Sequence, residues 1–360
     1  MIQTQIGNPR KSGRQMASVH KLKSIETSTL VGTKKALALL SGGLDSTLAV
    51  ALLTKQDIDV EGIFFSSPFC KCNRKGSCQA VDVARALGIR LKMITKDEEY
   101  LEVVRKPKHG YGKGMNPCID CRIFMLRKAK EYADKMGASL IVTGEVLGER
   151  PMSQHRRALD LIEKESGLTG RILRPLSAKL LPETAAEKSG LVNRDQLLDI
   201  SGRSRKRQIE LAKNLNITGY ACPAGGCLLT DPPFARRLKD LFKNTKEVTM
   251  KDVELLKVGR HFRRGSSKII VGRDEDENKR LLALKREHDY FFEVQGSGSP
   301  TTLLHGPASQ EAIETAAALT LYYSDCKESR RVVTYGKERL DRELSIHSIS
   351  KEEVDRLRIA

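Results

Sequence analysis

The sequence predicts an α/β protein, a doubly wound parallel sheet followed by a smaller C-terminal α+β domain. Three observations carry this. Short apolar runs alternate with helical periodicities from Lys34 to about residue 180, the pattern of a parallel sheet covered on both faces. The first alternation, "KKALALLSGGLDSTLAVALL", sets a polar, glycine-rich turn between a strand and a helix. After "CPAGGCLLTDPPF", which breaks every periodicity, short strands and helices resume in a different order.

The elements follow in order. Ala36 to Leu40 is short, apolar and closed by glycine, as a buried parallel strand is. The helix after it can be capped by Ser46 or Thr47. Val60 to Phe65 reads as the second strand, Gln79 to Leu87 as a helix closed by Gly88, and Ile89 to Ile94 as the third strand. Glu98 to Arg105 and Cys121 to Met136 read as helices, Ser139 to Thr143 as a strand, Met152 to Lys164 as a helix and Ile172 as the centre of a short strand. Farther on, helices are expected over Ala235 to Phe242, Met250 to Val258 and Ser309 to Ser324. Strands are expected over Lys268 to Val271, Tyr290 to Val294 and Arg331 to Tyr335. The expected layout is a basic tail at 1–33, a catalytic domain at 34–180, a basic, cysteine-bearing linker at 181–235, a second domain at 236–340 and a C-terminal tail at 341–360.

The loop Ser41-Gly42-Gly43-Leu44-Asp45-Ser46 delivers unpaired N–H groups and the positive end of a helix dipole to the carboxyl edge of the sheet, which makes an anion site. Two glycines let the backbone approach a phosphate closely. No Walker-type loop occurs in the chain. The string Ser-Gly-Gly-x-Asp-Ser after a strand resembles the PP-loop of the ATP pyrophosphatase superfamily. The resemblance implies that the loop holds the pyrophosphate that leaves when ATP transfers AMP to a substrate oxygen. It also implies that Asp45 helps to hold Mg2+ and acts in catalysis. Leu40, Ser41, Gly42, Gly43, Asp45, Ser46 and Phe64, with Thr143 and Gly144 at a second strand end, are the expected ATP-binding residues.

Sixty-three Lys and Arg against forty-five Asp and Glu give a net charge of +18 over 360 residues, which favours a polyanionic partner. No run approaches the roughly 20 apolar residues that span a bilayer, and no secretory segment opens the chain, so a cytoplasmic protein without a membrane partner is expected. Eight cysteines in a reducing compartment argue for metal or redox chemistry. Cys70, Cys72 and Cys78 form one group, Cys118 and Cys121 a second, Cys222 and Cys227 a third, and Cys326 stands alone.

In "GMNPCIDCRIFMLRKAKEYADKMG" the Cys118-x-x-Cys121 pair opens a helix, where the dipole lowers thiol pKa and favours thiolates. Three thiolates on a 4Fe-4S cluster leave one iron open to hydrosulfide, whereas four cysteines also suit zinc, so spacing leaves both metals open. The PP-loop, "NPCIDC" and the strand ending in Thr143-Gly144 resemble, in this order, the tRNA thiouridine sulfurtransferases of the 2-thiouridylase and 4-thiouridine synthetase types, in their iron-sulfur lineage. That resemblance implies an ATP-adenylated uridine carbonyl and a sulfur nucleophile that displaces AMP. It places the cluster on Cys118, Cys121 and Cys222, with Cys118, Cys222 and Cys227 in catalysis and Cys227 as alternative ligand or persulfide carrier. Cys70, Cys72 and Cys78 depart from the family pattern and read equally as a second metal site, a sulfur relay or small apolar residues.

"SGRSRKRQ" supplies Arg203, Arg205, Lys206 and Arg207, which read as RNA-phosphate contacts or a solvated helix face; "GERPMSQHRRAL" adds Arg156 and Arg157 beyond the nucleotide loop, open to RNA, to ATP phosphates or to plain helix surface. His155 earns no role as a base from spacing alone. "KIIVGRDEDENKRLL", "DYFFEVQGSGSPTTLLHG" and "AAALTLYYSDCK" resemble the RNA-binding domain of the NFACT family, with Lys268 and the 296–300 turn expected at RNA backbone; Tyr290, Phe291 and Phe292 are open to stacking, with at least one of them expected in the core by strand alternation. Together these readings predict an ATP- and Mg2+-dependent tRNA sulfurtransferase fed by sulfide or a persulfide-carrying desulfurase, with a homodimer and a monomer both open. The rivals are a PP-loop amidating or ligating enzyme, and a zinc-stabilised RNA-binding protein with an inactive PP-loop.

Overall fold

A computed structural model describes residues 34–70, 78–218, 220 and 226–359. The first sheet is five-stranded and wholly parallel, in the order β3-β2-β1-β4-β5. In chain order its elements are β1 (Lys35–Leu39), α1 (Leu44–Thr54), β2 (Asp59–Ser66), α2 (Gln79–Ala86), β3 (Leu91–Thr95), α3 (Glu98–Arg105), α4 (Cys118–Met136), β4 (Leu140–Thr143), α5 (Arg156–Ser166) and β5 (Ile172–Leu173). The strand order reverses between β1 and β4, so the crevice that an open parallel sheet offers to ligands lies where the glycine-rich loop leaves β1. One face of the sheet packs Ala36, Ala38 and Val142 against α1; the other packs Leu37, Ile63 and Ile141 against α4 and α5.

The stretch expected to be a linker is built into this domain. It contains α6 (Ala185–Lys188) and α7 (Lys206–Asn214). Val192 and Leu197 join the core beneath α1, and Ile200 and Ala212 pack against Leu44, Leu48 and Leu52 of that helix. The charged composition that suggested a linker belongs to the outer faces of these turns.

Next come α8 (Pro232–Asn244) and α9 (Met250–Leu255), then β6 (Arg260–Arg264), β7 (Ser267–Val271), α10 (Glu275–Leu284), β8 (Tyr290–Val294), β9 (Thr302–His305), α11 (Gln310–Tyr322), β10 (Arg330–Gly336), β11 (Arg342–His347) and α12 (Lys351–Leu357). These strands form a second, six-stranded sheet in the order β11-β10-β8-β9-β7-β6, with every neighbouring pair antiparallel. Its core is α11 packed on Phe262, Ile269, Phe292 and Val333.

Residues 341–360 are therefore no tail. β11 pairs with β10 from Arg342 to His347, Ser350 caps α12, and Val354 and Leu357 enter the core. The polar alternation of "RELSIH" hides an edge strand that has only one covered side. Of the aromatic run, Tyr290 and Phe292 are buried on the α11 side, as core residues, and the half-buried Phe291 packs toward Leu281 and Leu303 on the other. Lys268 is buried as well and faces no solvent that RNA could occupy. Among the described residues no helix is long and apolar enough to cross a membrane.

Candidate active site

The glycine-rich loop takes its shape from its own hydroxyls. Gly42 has φ +77°, in the left-handed region, and a Cβ there would lie 2.8 Å from the backbone N of Ala80. The Ser41 and Ser46 hydroxyls meet at 3.1 Å, Gly43 N–H donates to Ser41 Oγ, and Ser46 Oγ and Thr47 Oγ1 both donate to the Gly43 carbonyl at 2.9 Å. The helix thus begins one turn earlier than expected. Gly43 is its N-cap and, having no side chain, supplies no side-chain cap, while Ser46 and Thr47 spend their hydroxyls on fastening the loop. The first-turn N–H groups of α1 remain for a ligand. Gly144, after β4, lies so close that a Cβ on it would be 2.4 Å from Ser46 N.

A cavity of about 540 Å³ opens over this loop at the carboxyl edge of the sheet. Leu40, Ser41, Gly43, Asp45, Ser46, Phe64, Thr143 and Gly144 line it; Gly42 instead backs onto α2. The opposite wall is sulfur. Cys118 and Cys121 stand on the first turn of α4, which starts three residues earlier than its apolar periodicity suggested, and both line the cavity with Cys70 and Cys227. Cys70 and Cys227 face each other in an isolated antiparallel bridge, which Leu228 N–H extends to the Phe69 carbonyl at 2.8 Å. Cys70 therefore joins the main group. Cys78 is the N-cap residue of α2 and does not line the cavity, and Cys326 packs beside the C-terminal core. Cys72 and Cys222 lie outside the described residues.

Cys121 Sγ accepts from Lys96 Nζ and from Tyr100 Oη, each at 3.1 Å, and the Lys96 ammonium lies 4.2 Å above the Tyr100 ring. Burial, together with the charge of Cys121, holds the Tyr100 hydroxyl well above its ordinary pKa. Burial also raises the Cys118 thiol, with Cys121 adding to the effect, and pushes Cys227 up to about 11. At Cys118 the lowering expected from the helix dipole is overridden by desolvation and by neighbouring sulfur. Among the described residues no three Cys, His, Asp or Glu side chains suffice by themselves to hold a metal, so a three-thiolate site here would draw on a cysteine outside them, Cys72 or Cys222. The donor set fits such a site. Sulfur atoms converge on one wall, two donors already point at Cys121, and Gly226 and Cys227, just beyond Cys222, line the same cavity.

Between the two walls lies a set of charges that sequence reading missed. Arg122, adjacent to Cys121, reaches Glu145 Oε1 at 3.3 Å, and the buried Arg174 reaches Glu145 Oε2 at 3.1 Å. Burial pushes the Glu145 carboxyl up, but Arg122 and Arg174 outweigh it and keep the group below its ordinary value. Arg205, expected on the RNA side, turns into the cavity, where it donates to Asp45 at 2.5 Å and to Glu149 at 3.2 Å. Arg203, Lys206 and Arg157 are exposed, Arg156 pairs with Asp160, and Arg207 pairs with Asp199. His155 caps α5 through Nδ1, which accepts from Ala158 N–H at 3.2 Å. Neither pairing of Arg205, with Glu149 across 56 residues or with Asp45 across 160, has a local signature in the sequence.

Residues 32–180 match the family model described as thiamine biosynthesis protein (ThiI), and residues 259–358 match the NFACT protein RNA binding domain. The chain carries a ThiI-type PP-loop domain and an NFACT-type C-terminal domain. Over 148 residues the chain is 30% identical to the tRNA-specific 2-thiouridylase MnmA of Azorhizobium caulinodans, covering 36% of this chain and 38% of that one. It is 32% identical over 122 residues to a probable tRNA sulfurtransferase of Thermoanaerobacter, covering 32% and 30%. The chain thus spans about a third of the length of such curated relatives. Among solved structures it is similar to the U34-tRNA thiolase NcsA from Methanococcus maripaludis with its 4Fe-4S cluster, at 18% identity and a TM-score of 0.32 over 63% of this chain and 73% of that one. A 4-thiouridine synthetase–RNA complex with bound ATP aligns at 22% identity and a TM-score of 0.32, over 61% and 52%.

Proposed function

We propose that this protein is a cytoplasmic, ATP-dependent tRNA sulfurtransferase that adenylates a uridine carbonyl oxygen and replaces that oxygen with sulfur. The observation that carries the reading is the single cavity with the PP-loop on one wall and Cys70, Cys118, Cys121 and Cys227 on another. Amidating and ligating PP-loop enzymes have no use for such a wall, and a structural zinc site has no need of a nucleotide loop beside it.

In this reading the N–H groups of the loop and of the first α1 turn bind the β- and γ-phosphates, and Leu40 and Phe64 flank the nucleoside end. Asp45 is suited to Mg2+, since Oδ2 is held by Arg205 while Oδ1 is buried without a hydrogen-bond partner. The uridine oxygen attacks the α-phosphorus, and pyrophosphate leaves with the electron pair of the broken P–O bond. Sulfur then adds at the activated carbon and AMP departs. Cys118, Cys121 and Cys222 would hold the 4Fe-4S cluster. When bound, a cluster with three thiolate ligands supplies an open iron for hydrosulfide. Lys96 and Tyr100 keep Cys121 Sγ in place, and Arg122, fixed by Glu145, places a cation between sulfur and nucleotide. The NFACT-type domain and the exposed Arg157, Arg203 and Lys206 would dock the RNA.

The test is anaerobic purification with iron, zinc and acid-labile sulfide analysis, alongside tRNA-dependent release of AMP and pyrophosphate. About four irons and four sulfides per chain are expected, lost in Cys118→Ala, Cys121→Ala and Cys222→Ala, with tRNA thiolation lost in step. One tightly held zinc without sulfide would overturn the cluster. Tight tRNA binding with no nucleotide turnover would overturn the enzyme.

A further inference from the structure

The geometry points to Arg205 as the phosphate clamp of the PP-loop, a residue that guards the Asp45 carboxylate and transfers to the triphosphate when metal and nucleotide arrive. The inference rests on the nucleotide-site reading above.

Arg205 is held from both sides. Its NH2 group meets Asp45 Oδ2 at 2.5 Å and its Nε meets Glu149 Oε1 at 3.2 Å, with only 19% of its side chain exposed. Each carboxylate is left with one buried oxygen, Asp45 Oδ1 and Glu149 Oε2, that has no hydrogen-bond partner. One cation therefore serves two anions, and half of their acceptor capacity is unspent. Burial and the charge of Asp45 together raise the Glu149 pKa, which reflects the same shortage of positive charge. A divalent cation on Asp45 would supply that charge and compete with the guanidinium for the same oxygens.

Displaced from Asp45, the guanidinium is still beside the loop. Arg205 is the N-cap residue of α7, and α7 packs through Ala212 against Leu44, Leu48 and Leu52 of α1, the helix whose first turn is the anion site. The backbone of Arg205 is thus fixed to the loop, and side-chain rotation alone carries five N–H donors from carboxylate to phosphate. A planar guanidinium matches two phosphate oxygens at once, which a lysine ammonium does not. The other basic residues of "SGRSRKRQ" point away from the cavity, so the run divides between one inward cation and its outward neighbours.

The full-length protein and its Arg205→Gln and Arg205→Lys variants should be compared in three measurements. These are Mn2+ binding without nucleotide by electron paramagnetic resonance, ATP binding at saturating Mn2+ by calorimetry, and thermal unfolding. The expected result for Arg205→Gln is a pair of opposite changes. Mn2+ binds several-fold more tightly because Asp45 is released, and ATP binds to the Mn2+-saturated protein about ten- to a hundredfold more weakly, the worth of a charge-assisted contact. Arg205→Lys should fall between the two for ATP. If both ligands weaken together with a lowered unfolding temperature, or if neither changes while wild-type protein binds ATP, the clamp is overturned and Arg205 is a fixed structural ion pair. A wild-type chain that binds no ATP would overturn the nucleotide site itself.

Discussion

Lys268 sits in β7 with its Nζ buried and without a hydrogen-bond acceptor, near the charges of Asp240, Arg263, Arg237 and Asp252 and beside the buried His261. Burial brings its pKa down to about 7. In the unfolded chain it titrates near 10.4. Between those values the unfolded state binds more protons, so this residue makes stability rise with pH from about 7 toward 10 and exacts its full penalty below 7. Lys268→Met should stabilise the protein by roughly 1–2 kcal/mol at pH 6, with the gain vanishing near pH 10, as chemical unfolding at several pH values would show. An equal gain at all pH values would mean that the lysine is charged in the fold throughout. From the sequence Lys268 read as a surface cation because isolated lysines in strands almost always face solvent; only the packing of α8 and α9 over that face reveals otherwise.

At the scale of elements, the loop after β1 and the turn after β4 are built against each other. A methyl on Gly144 would lie 2.4 Å from Ser46 N and 2.5 Å from the Asp45 carbonyl carbon, backbone atoms that cannot yield without moving the loop. Gly144→Ala is expected to weaken ATP binding at least tenfold while leaving the far-ultraviolet spectrum unchanged. Gly43→Ala, at φ −83° with only Ser41 Oγ at 3.4 Å from the new Cβ, should keep the loop intact. Equal loss in both would show that the glycines serve phosphate access rather than loop shape. The sequence reading treated Gly42 and Gly43 alike because adjacent glycines carry no sign of which one has positive φ. The parallel sheet was legible, since β1, β2 and β4 are nearly continuous apolar runs buried on both faces. β6 was not, because "RHFRR" puts arginines where Asp240 and Glu311 receive them. The sulfur wall was legible in Cys118, Cys121 and Cys227; the place of Cys70 opposite Cys227, 157 residues away, depends on the turn after β2, which has no periodicity to read.

Across the whole molecule, α8 relates the two sheets. Phe234 and Leu238 pack with Phe69, Tyr100 and Phe124 behind the sulfur wall, while Asp240 on the same helix pairs with Arg263 of β6. In the proposed function, an RNA docked on the C-terminal domain would be held at a fixed offset from the cavity. Its reactive end would cross the rim formed where residues 147–157 and 201–207 run side by side, joined by Gly202 N–H to the Leu147 carbonyl at 2.7 Å and by the Arg205–Glu149 pair. On this rim Arg157, Arg203 and Lys206 are exposed, do not line the cavity, and have no ion-pair partner among the described residues. Each phosphate contact they make adds about 0.7–0.9 to the slope of log affinity against log salt. The triple variant Arg157→Ala, Arg203→Ala, Lys206→Ala should therefore lower that slope for tRNA by up to about two to three, reduce tRNA affinity at low salt, and leave ATP binding in the absence of RNA at the wild-type level. An unchanged slope would place the RNA path away from this rim; a loss of ATP binding would mean that these residues support the nucleotide site instead of the rim.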